Sequence, residues 1–425
     1  MREARTSGPL AGRMCVPGSK SLTNRALVCA SLADGTSVLS NASGSDDTAL
    51  LVNGLNQLGI LARRSGSGIE VGGKGGTLHA PKFPIPSGNA GTTLRFLLSL
   101  GVLARGTTVI ETSGRMADRP NDDILDALRD LGVSVRHEPR STRFEVTGSA
   151  LPGGEMTIRS DRSSQFLSSM LMVAPYARTR STLWARGHVA SGRYIQLTVD
   201  VMEHFGVHVE REGDERFSVG APSRYSPAAY AVEGDASGAT YPFAAAAAAG
   251  GEVFVPGVSE SSHQPDAAFA GVLRLMGCRV ESREGGTLIS RTGDLRGIDV
   301  TMSGMPDAVP ALVAAALFAH GETRIRGIGT LRFKESNRIE GFAGELRKLG
   351  GDIGVEGDVM TVRPAPLHGA ALSTLEDHRL AMSFAVIGLR VPGVTIDDPG
   401  CVRKSYPAFW EELDRLLDQS AQRGR

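Results

Sequence analysis

Three short stretches of this chain share one grammar, a small polar loop followed by the first turn of an apolar helix. They are Pro17-Gly18-Ser19-Lys20-Ser21-Leu22-Thr23-Asn24-Arg25, Ser87-Gly88-Asn89-Ala90-Gly91-Thr92-Thr93-Leu94-Arg95 and Ser160-Asp161-Arg162-Ser163-Ser164-Gln165-Phe166. The first N–H groups of a helix lack partners within it and lie at the positive end of its dipole. With hydroxyls beside them, and with Lys20 and Arg25 adding charge, such a start can cradle a phosphate or a carboxylate. The first stretch superficially suggests a P-loop, but Ser19 separates Gly18 from Lys20, so the G-x-x-x-x-G-K-[ST] spacing is not met. An ordinary capped helix with solvated cations would explain any one of these stretches. Three at equivalent phases of a repeat point instead to loops that converge.

Further charges stand at loop positions. Gly114-Arg115-Met116-Ala117-Asp118-Arg119-Pro120 sets two arginines four residues apart before a helix, suited to clamping an oxyanion bidentately. Arg332-Phe333-Lys334-Glu335-Ser336-Asn337-Arg338 gathers three cations and a carboxylate, and Asp377-His378-Arg379 and Arg403-Lys404 add more. Asp307, after Met305-Pro306 and before an Ala/Val-rich helix, reads locally as an N-terminal capping carboxylate. The scattered histidines, His263 included, have no metal-ligand spacing, and Ser65–Gly73 reads as a hairpin, not a dinucleotide loop.

The elements that must carry these residues repeat. An amphipathic segment ending in a bulky apolar residue, then Gly, then a strand-like run occurs at Gly59, Gly132, Gly206, Gly277 and Gly350, about 72 residues apart. Glycine at that point is expected at the C′ position of a helix, where only a residue without Cβ takes the left-handed conformation cheaply. A second marker, a turn leading into a β-rich run, recurs out of phase at Gly35, Gly106, Arg180, Gly251, Gly321 and Gly393. A helix around Phe409–Leu417 stands where the sixth copy of the first marker should lie. The chain therefore reads as an α/β protein of six units, three in each of two domains, and its 425 residues exceed what one core usually organises. Ala221–Ala231, rich in Pro, Ser and Ala, interrupts the pattern as a linker would.

Composition excludes several classes of function. The 46 Lys and Arg balance the 46 Asp and Glu, which argues against broad capture of nucleic acid or an acidic membrane. Four dispersed cysteines (Cys15, Cys29, Cys278, Cys401) form no CxxC pair and suit free thiols in a reducing cytoplasm. The first residues lack an apolar signal core, so secretion is not expected. Phe243–Ala249 is too short to span a bilayer and reads as a buried, closely packed helix.

Taken in order, PGSKSLTNRA, GNAGTTLRF, SGRMADRP, SSQF, EGDASGATY, PDA, KESNR, DHR and RKSYP resemble the 5-enolpyruvylshikimate-3-phosphate synthase family over essentially the whole chain. The resemblance implies an α/β fold of two domains, the enolpyruvyl transferase-like inside-out α/β barrel, each domain built of three βαβαββ units. It implies repeats 1–3 in residues 18–224, and repeats 4–6 with an N-terminal strand in residues 1–14 plus 235–425. The crossovers would then fall near 15–17 and 225–234. The activity implied is transfer of the enolpyruvyl group of phosphoenolpyruvate to the 5-hydroxyl of shikimate 3-phosphate, by addition and elimination through a tetrahedral intermediate in a cleft between domains.

Carried over residue by residue, the resemblance assigns Lys20, Ser21, Arg25, Ser163, Ser164, Gln165, Ser191, Tyr194, Asp307 and Lys334 to shikimate 3-phosphate. Lys20, Gly91, Arg115, Gln165, Arg338, Arg379 and Lys404 fall to phosphoenolpyruvate. Asp307 matches the base for the hydroxyl and Glu335 the acid for the methylene, with Lys20, His378 and Lys404 as further proton carriers. The implied enzyme is a cytoplasmic monomer acting on small molecules, with no metal, no organic cofactor, no nucleic acid and no membrane. Thr330 stands where many relatives carry Asn, which leaves a related acceptor open as an alternative. A non-catalytic anion-binding homologue is a second. The sister transferase acting on UDP-N-acetylglucosamine uses a loop cysteine, whereas Gly114–Pro120 has Arg115 and no cysteine.

Overall fold

The computed structural model describes residues 1–148, 150–187 and 192–423. Apart from a single turn at Gly114–Ala117, the described residues contain twelve α-helices. They are α1 (Lys20–Leu32), α2 (Asp46–Gln57), α3 (Gly91–Leu103), α4 (Asp122–Asp130), α5 (Gln165–Val173), α6 (Arg193–His204), α7 (Ala236–Ala249), α8 (Phe269–Leu275), α9 (Val309–Ala316), α10 (Glu340–Lys348), α11 (His378–Gly388) and α12 (Phe409–Arg423).

Their sequences sort them into two kinds. The odd-numbered helices are buried nearly all round, mostly by apolar side chains and in α1 with buried Thr23, Asn24 and Arg25 as well. The even-numbered ones bury a single face, as Leu51, Gly54 and Leu55 of α2 illustrate. The alanine run in α7 forms a buried helix, as its composition suggested, and its small side chains admit close packing by α9 and α11. Each buried Leu or Phe along these helices contributes roughly 1.5–3 kcal/mol.

Five of the even-numbered helices, α2, α4, α6, α8 and α10, end as the glycine repeat predicts. In α2, Leu58 is the cap and Gly59 follows at φ +93°. Gly59 N–H donates to Asn56 O (3.1 Å) and Ile60 N–H to Leu55 O (3.0 Å), the paired bonds of a Schellman ending. Gly132, Gly206, Gly277 and Gly350 repeat the arrangement at φ +77°, +86°, +101° and +85°.

The sheets repeat as well. In the second unit, Ile85–Gly88 runs parallel to Ala104–Thr112, which pairs antiparallel with Arg143–Gly148, and that strand with Ser134–Arg136. The same order of one parallel and two antiparallel pairings recurs in four further sheets, while the sixth keeps three strands. Ser65 and Gly68 close the Leu61–Ser65/Gly68–Lys74 hairpin, the form expected for that glycine-rich stretch.

The chain divides into two compact units, residues Gly18–Val232 and residues Met1–Pro17 with Glu233–Arg425. Two strands exchange places in sequence. Leu10–Arg13, just before α1, pairs with Gly251–Pro256 of the fourth sheet, and Ala229–Ala231, just before α7, pairs with Asp34–Ser40 of the first. The linker expected over Ala221–Ala231 is therefore corrected. Tyr225 is buried with its hydroxyl donating to Met172 O (2.9 Å), and the stretch ends in a sheet strand. Pro, Ser and Ala suit a linker and a short edge strand alike, so composition could not separate them.

Candidate active site

In residues 18–232 the inner helices α1, α3 and α5 pack together and carry predicted residues at their starts. Ser19 caps α1, its hydroxyl accepting from Leu22 N–H (3.4 Å), which places Lys20 and Ser21 in the first turn. Lys20 Nζ lies 2.7 Å from Asp47 Oδ2.

Arg25, one turn further on, is 2% exposed. Its Nε donates to Thr198 Oγ1 (2.8 Å), Nη1 to Ser21 O (3.0 Å), and Nη2 to Ser168 Oγ and Tyr194 O (both 3.3 Å). All four acceptors are neutral. Burial accordingly pushes this guanidinium down, to about 10. A buried cation whose partners among the described residues are neutral is suited to receiving an anion.

Gln165 opens α5 and is fixed by Arg95 of α3. The Arg95 Nη1 reaches Gln165 Oε1 at 2.6 Å and Ser163 Oγ at 3.3 Å, while Nη2 reaches Pro120 O at 3.0 Å. The Arg95 guanidinium also lies over Phe166, 4.7 Å from the ring centroid. Ser164 stands at the N-cap position of α5 without a side-chain capping bond and is buried. Gly91 opens α3, and a methyl group there would stand 3.2 Å from both terminal nitrogens of Arg119. Arg115 sits half-buried on the Gly114–Ala117 turn. Tyr194 of α6 offers its carbonyl to Arg25, its ring 5.9 Å from Arg25 Cζ. Ser191 lies outside the described residues.

In the other unit, charged groups meet near the starts of α9 and α11. Asp307 was expected as a helix cap, but its side chain makes no capping bond. It turns to three cations instead: Arg338 Nη1 (3.0 Å), Lys334 Nζ (3.3 Å) and Arg379 Nη2 (3.0 Å). Arg338, 1% exposed, also holds Glu335 Oε2 (Nη2, 2.6 Å) and grips both oxygens of Asp377 (Nε, 2.7 Å; Nη2, 3.1 Å). Asp377 caps α11 through Arg379 N–H (3.0 Å) and accepts from Ser336 Oγ (2.9 Å). His378 begins α11, its Nδ1 3.7 Å from Asp377 Oδ1. Lys404 closes the 3-10 segment Pro399–Lys404, which packs on α11.

These contacts set the protonation states. Burial alone would raise Asp307, but Arg379, Lys334 and Arg338 outweigh it and hold the carboxyl far below its ordinary value. Arg338 is likewise raised above its ordinary value, the attraction of Asp377, Glu335 and Asp307 exceeding the effect of burial. Asp266 behaves oppositely: burial, and then the negative charge of Asp307, push it up to about 6, although Ser237 donates its hydroxyl to it.

The structure thus groups Lys20, Ser21, Arg25 and Tyr194, joins Ser163 with Gln165 through Arg95, and gathers Asp307, Lys334, Glu335, Arg338 and Arg379. Sequence reasoning missed Asp47, Thr198, Ser168 and Asp266, and gave no role to Arg95 and Asp377, which lay inside motifs it had singled out. One signal was available for Asp266, because Pro265-Asp266-Ala267 repeats the triplet Pro306-Asp307-Ala308. No group of His, Cys, Asp and Glu suited to a metal ion occurs among the described residues.

Solved structures of enolpyruvyl transferases share this fold. EPSP synthase from Acinetobacter baumannii matches with a TM-score of 0.81 at 23% identity, covering 97% of each chain. The enolpyruvyl transferase NikO from Streptomyces tendae matches with a TM-score of 0.79 at 21% identity, covering 97% of this chain and 96% of its own. The family model described as EPSP synthase (3-phosphoshikimate 1-carboxyvinyltransferase) matches residues 4–413. A 3-phosphoshikimate 1-carboxyvinyltransferase of Methanoculleus marisnigri is 42% identical over 410 residues, 96% of this chain and 97% of its own. One of Trichormus variabilis is 38% identical over 415 residues, 97% of each. The chain belongs to the EPSP synthase family.

Proposed function

We propose that the chain transfers the enolpyruvyl group of phosphoenolpyruvate to the 5-hydroxyl of shikimate 3-phosphate. The hydroxyl oxygen adds to C2 of phosphoenolpyruvate as C3 gains a proton, giving a tetrahedral adduct. Loss of a C3 proton with cleavage of the C–O bond to phosphate restores the double bond. The sequence is redox-neutral and needs no electron carrier. Whole-length membership of the EPSP synthase family supports this reaction over a binding-only homologue.

In this reading Asp307 takes the hydroxyl proton and Glu335 supplies the methylene proton, with Lys20, His378 and Lys404 as further carriers. Lys20, Ser21, Arg25, Ser163, Ser164, Gln165, Ser191, Tyr194 and Lys334 hold shikimate 3-phosphate. Lys20, Gly91, Arg115, Gln165, Arg338, Arg379 and Lys404 hold phosphoenolpyruvate. The observation that carries these roles is one buried guanidinium, Arg338, joining Asp307 and Glu335. Asp307 is a weak base while three cations hold it, and substrate anions drawing on Lys334 and Arg379 would raise its basicity.

Free thiols at all four cysteines are compatible with a cytoplasmic enzyme, and we propose that it acts as a monomer. Among the described residues no helix is long and apolar enough to cross a membrane. The test is a phosphate-release assay with phosphoenolpyruvate and either shikimate 3-phosphate or UDP-N-acetylglucosamine. Turnover is expected with the first acceptor alone. Folded protein inactive on shikimate 3-phosphate would overturn the reading.

A further inference from the structure

Lys20 occupies the first turn of α1, where the helix dipole opposes a positive charge and a four-carbon stem leaves the ammonium many rotamers. Its Nζ nevertheless lies 2.7 Å from Asp47 Oδ2, with the two side chains only 15% and 5% exposed. Asp47 is the second residue of α2, so the positive start of its own helix favours its charge. Its backbone is anchored too, its carbonyl accepting the Thr93 hydroxyl of α3 at 2.8 Å.

The join between α1 and α2 does not depend on this ion pair. Thr48 Oγ1 donates to Asn24 Oδ1 (2.9 Å), Ser45 Oγ to Thr48 Oγ1 (3.1 Å), and Ser43 N–H to Thr23 Oγ1 (3.0 Å), all buried. Withdrawing a lysine and a carboxylate from water adds little net stability, because desolvation offsets their attraction. The carboxylate therefore contributes orientation more than cohesion.

We infer that Asp47 is a positioning residue that aims the Lys20 ammonium and acts on the reaction only through it. The inference rests on the role proposed above for Lys20. The experiment is a double-mutant cycle in kcat/KM over the wild type, Asp47→Asn, Lys20→Ala and the pair. Asp47→Asn should lower kcat/KM by about 10–100-fold, in the range of misplaced catalytic groups. The double variant should be no slower than Lys20→Ala alone, and Asp47→Glu should recover part of the loss. Additive losses, or near-normal rates in Asp47→Asn, would overturn the inference.

Unfolding midpoints of the same proteins separate this from a structural role, which would lower stability without the non-additivity. If the wild type does not turn over shikimate 3-phosphate, the proposed function falls, and the cycle is read as calorimetric binding of phosphoenolpyruvate. Non-additive binding losses then sustain the inference and additive ones reject it. A wild type that also fails to bind phosphoenolpyruvate rejects both.

Discussion

Arg25 and Arg338 are both buried arginines beside the starts of inner helices, yet their surroundings are opposite. Arg25 in residues 18–232 donates to two hydroxyls and two carbonyls. Arg338 in the other unit donates to three carboxylates. The first guanidinium is lowered by burial and the second raised by its partners. One unit leaves a buried guanidinium among neutral partners, whereas the other sets its cations against carboxylates within the same cluster. Two units of one repeated plan thus differ in how they surround a buried arginine, within α1 in one and just before α10 in the other.

The largest effect that would break this contrast is on stability. Arg338→Met leaves Asp307, Glu335 and Asp377 without their shared cation and should cost about 3–5 kcal/mol, the usual penalty for breaking a buried ion pair. Arg25→Met leaves no carboxylate behind and should change the denaturation midpoint far less, while abolishing binding of shikimate 3-phosphate. Equal losses of stability in the two variants would erase the distinction.

Glu335→Gln, with the fold intact, should reduce kcat by roughly 10²–10⁴-fold, as for loss of a positioned acid. A near-normal rate would remove Glu335 from the chemistry.

A smaller effect concerns pH. Asp266 has its carboxyl raised to about 6 in the folded protein, so the folded state binds a proton that the unfolded chain has already released. Its contribution therefore makes stability fall as pH rises from about 4, the ordinary carboxyl value, towards 6. Asp266→Asn should remove that fall, visible as a gain over the wild type in denaturant unfolding across this interval, and an unchanged difference would refute it. Smallest is Ser19→Ala, which loses the α1 cap and should cost about 1 kcal/mol in the same measurement.

What was legible in the sequence follows the range of the physics. Gly59 and its four counterparts could be placed because a helix ending is a local event, decided within a few residues by the cost of a Cβ. The anion cradles could be suspected for the same reason. The strand Ala229–Ala231 was hidden, because it is short and its partner lies far along the chain, and a strand within residues 1–14 was reached only through the family resemblance. Asp307 looked like a cap because its neighbours in sequence permit one. The cations that turned it aside lie 27 to 72 residues away, and no periodicity announces them. Asp47 escaped notice as an ordinary first-turn carboxylate, 27 residues from the lysine it meets.

The exchange of those two strands also bears on the order in which the chain can assemble during synthesis. Residues 18–232 contain every strand of their three sheets, so this unit can complete itself as soon as it leaves the ribosome. The opening residues cannot. Leu10–Arg13 waits for Gly251–Pro256, and Arg2–Glu3 waits for Thr395–Ile396 near the far end. Residues 2–13 are thus made well before the strands they pair with, and the second unit cannot close its sheets until residue 396 has been added.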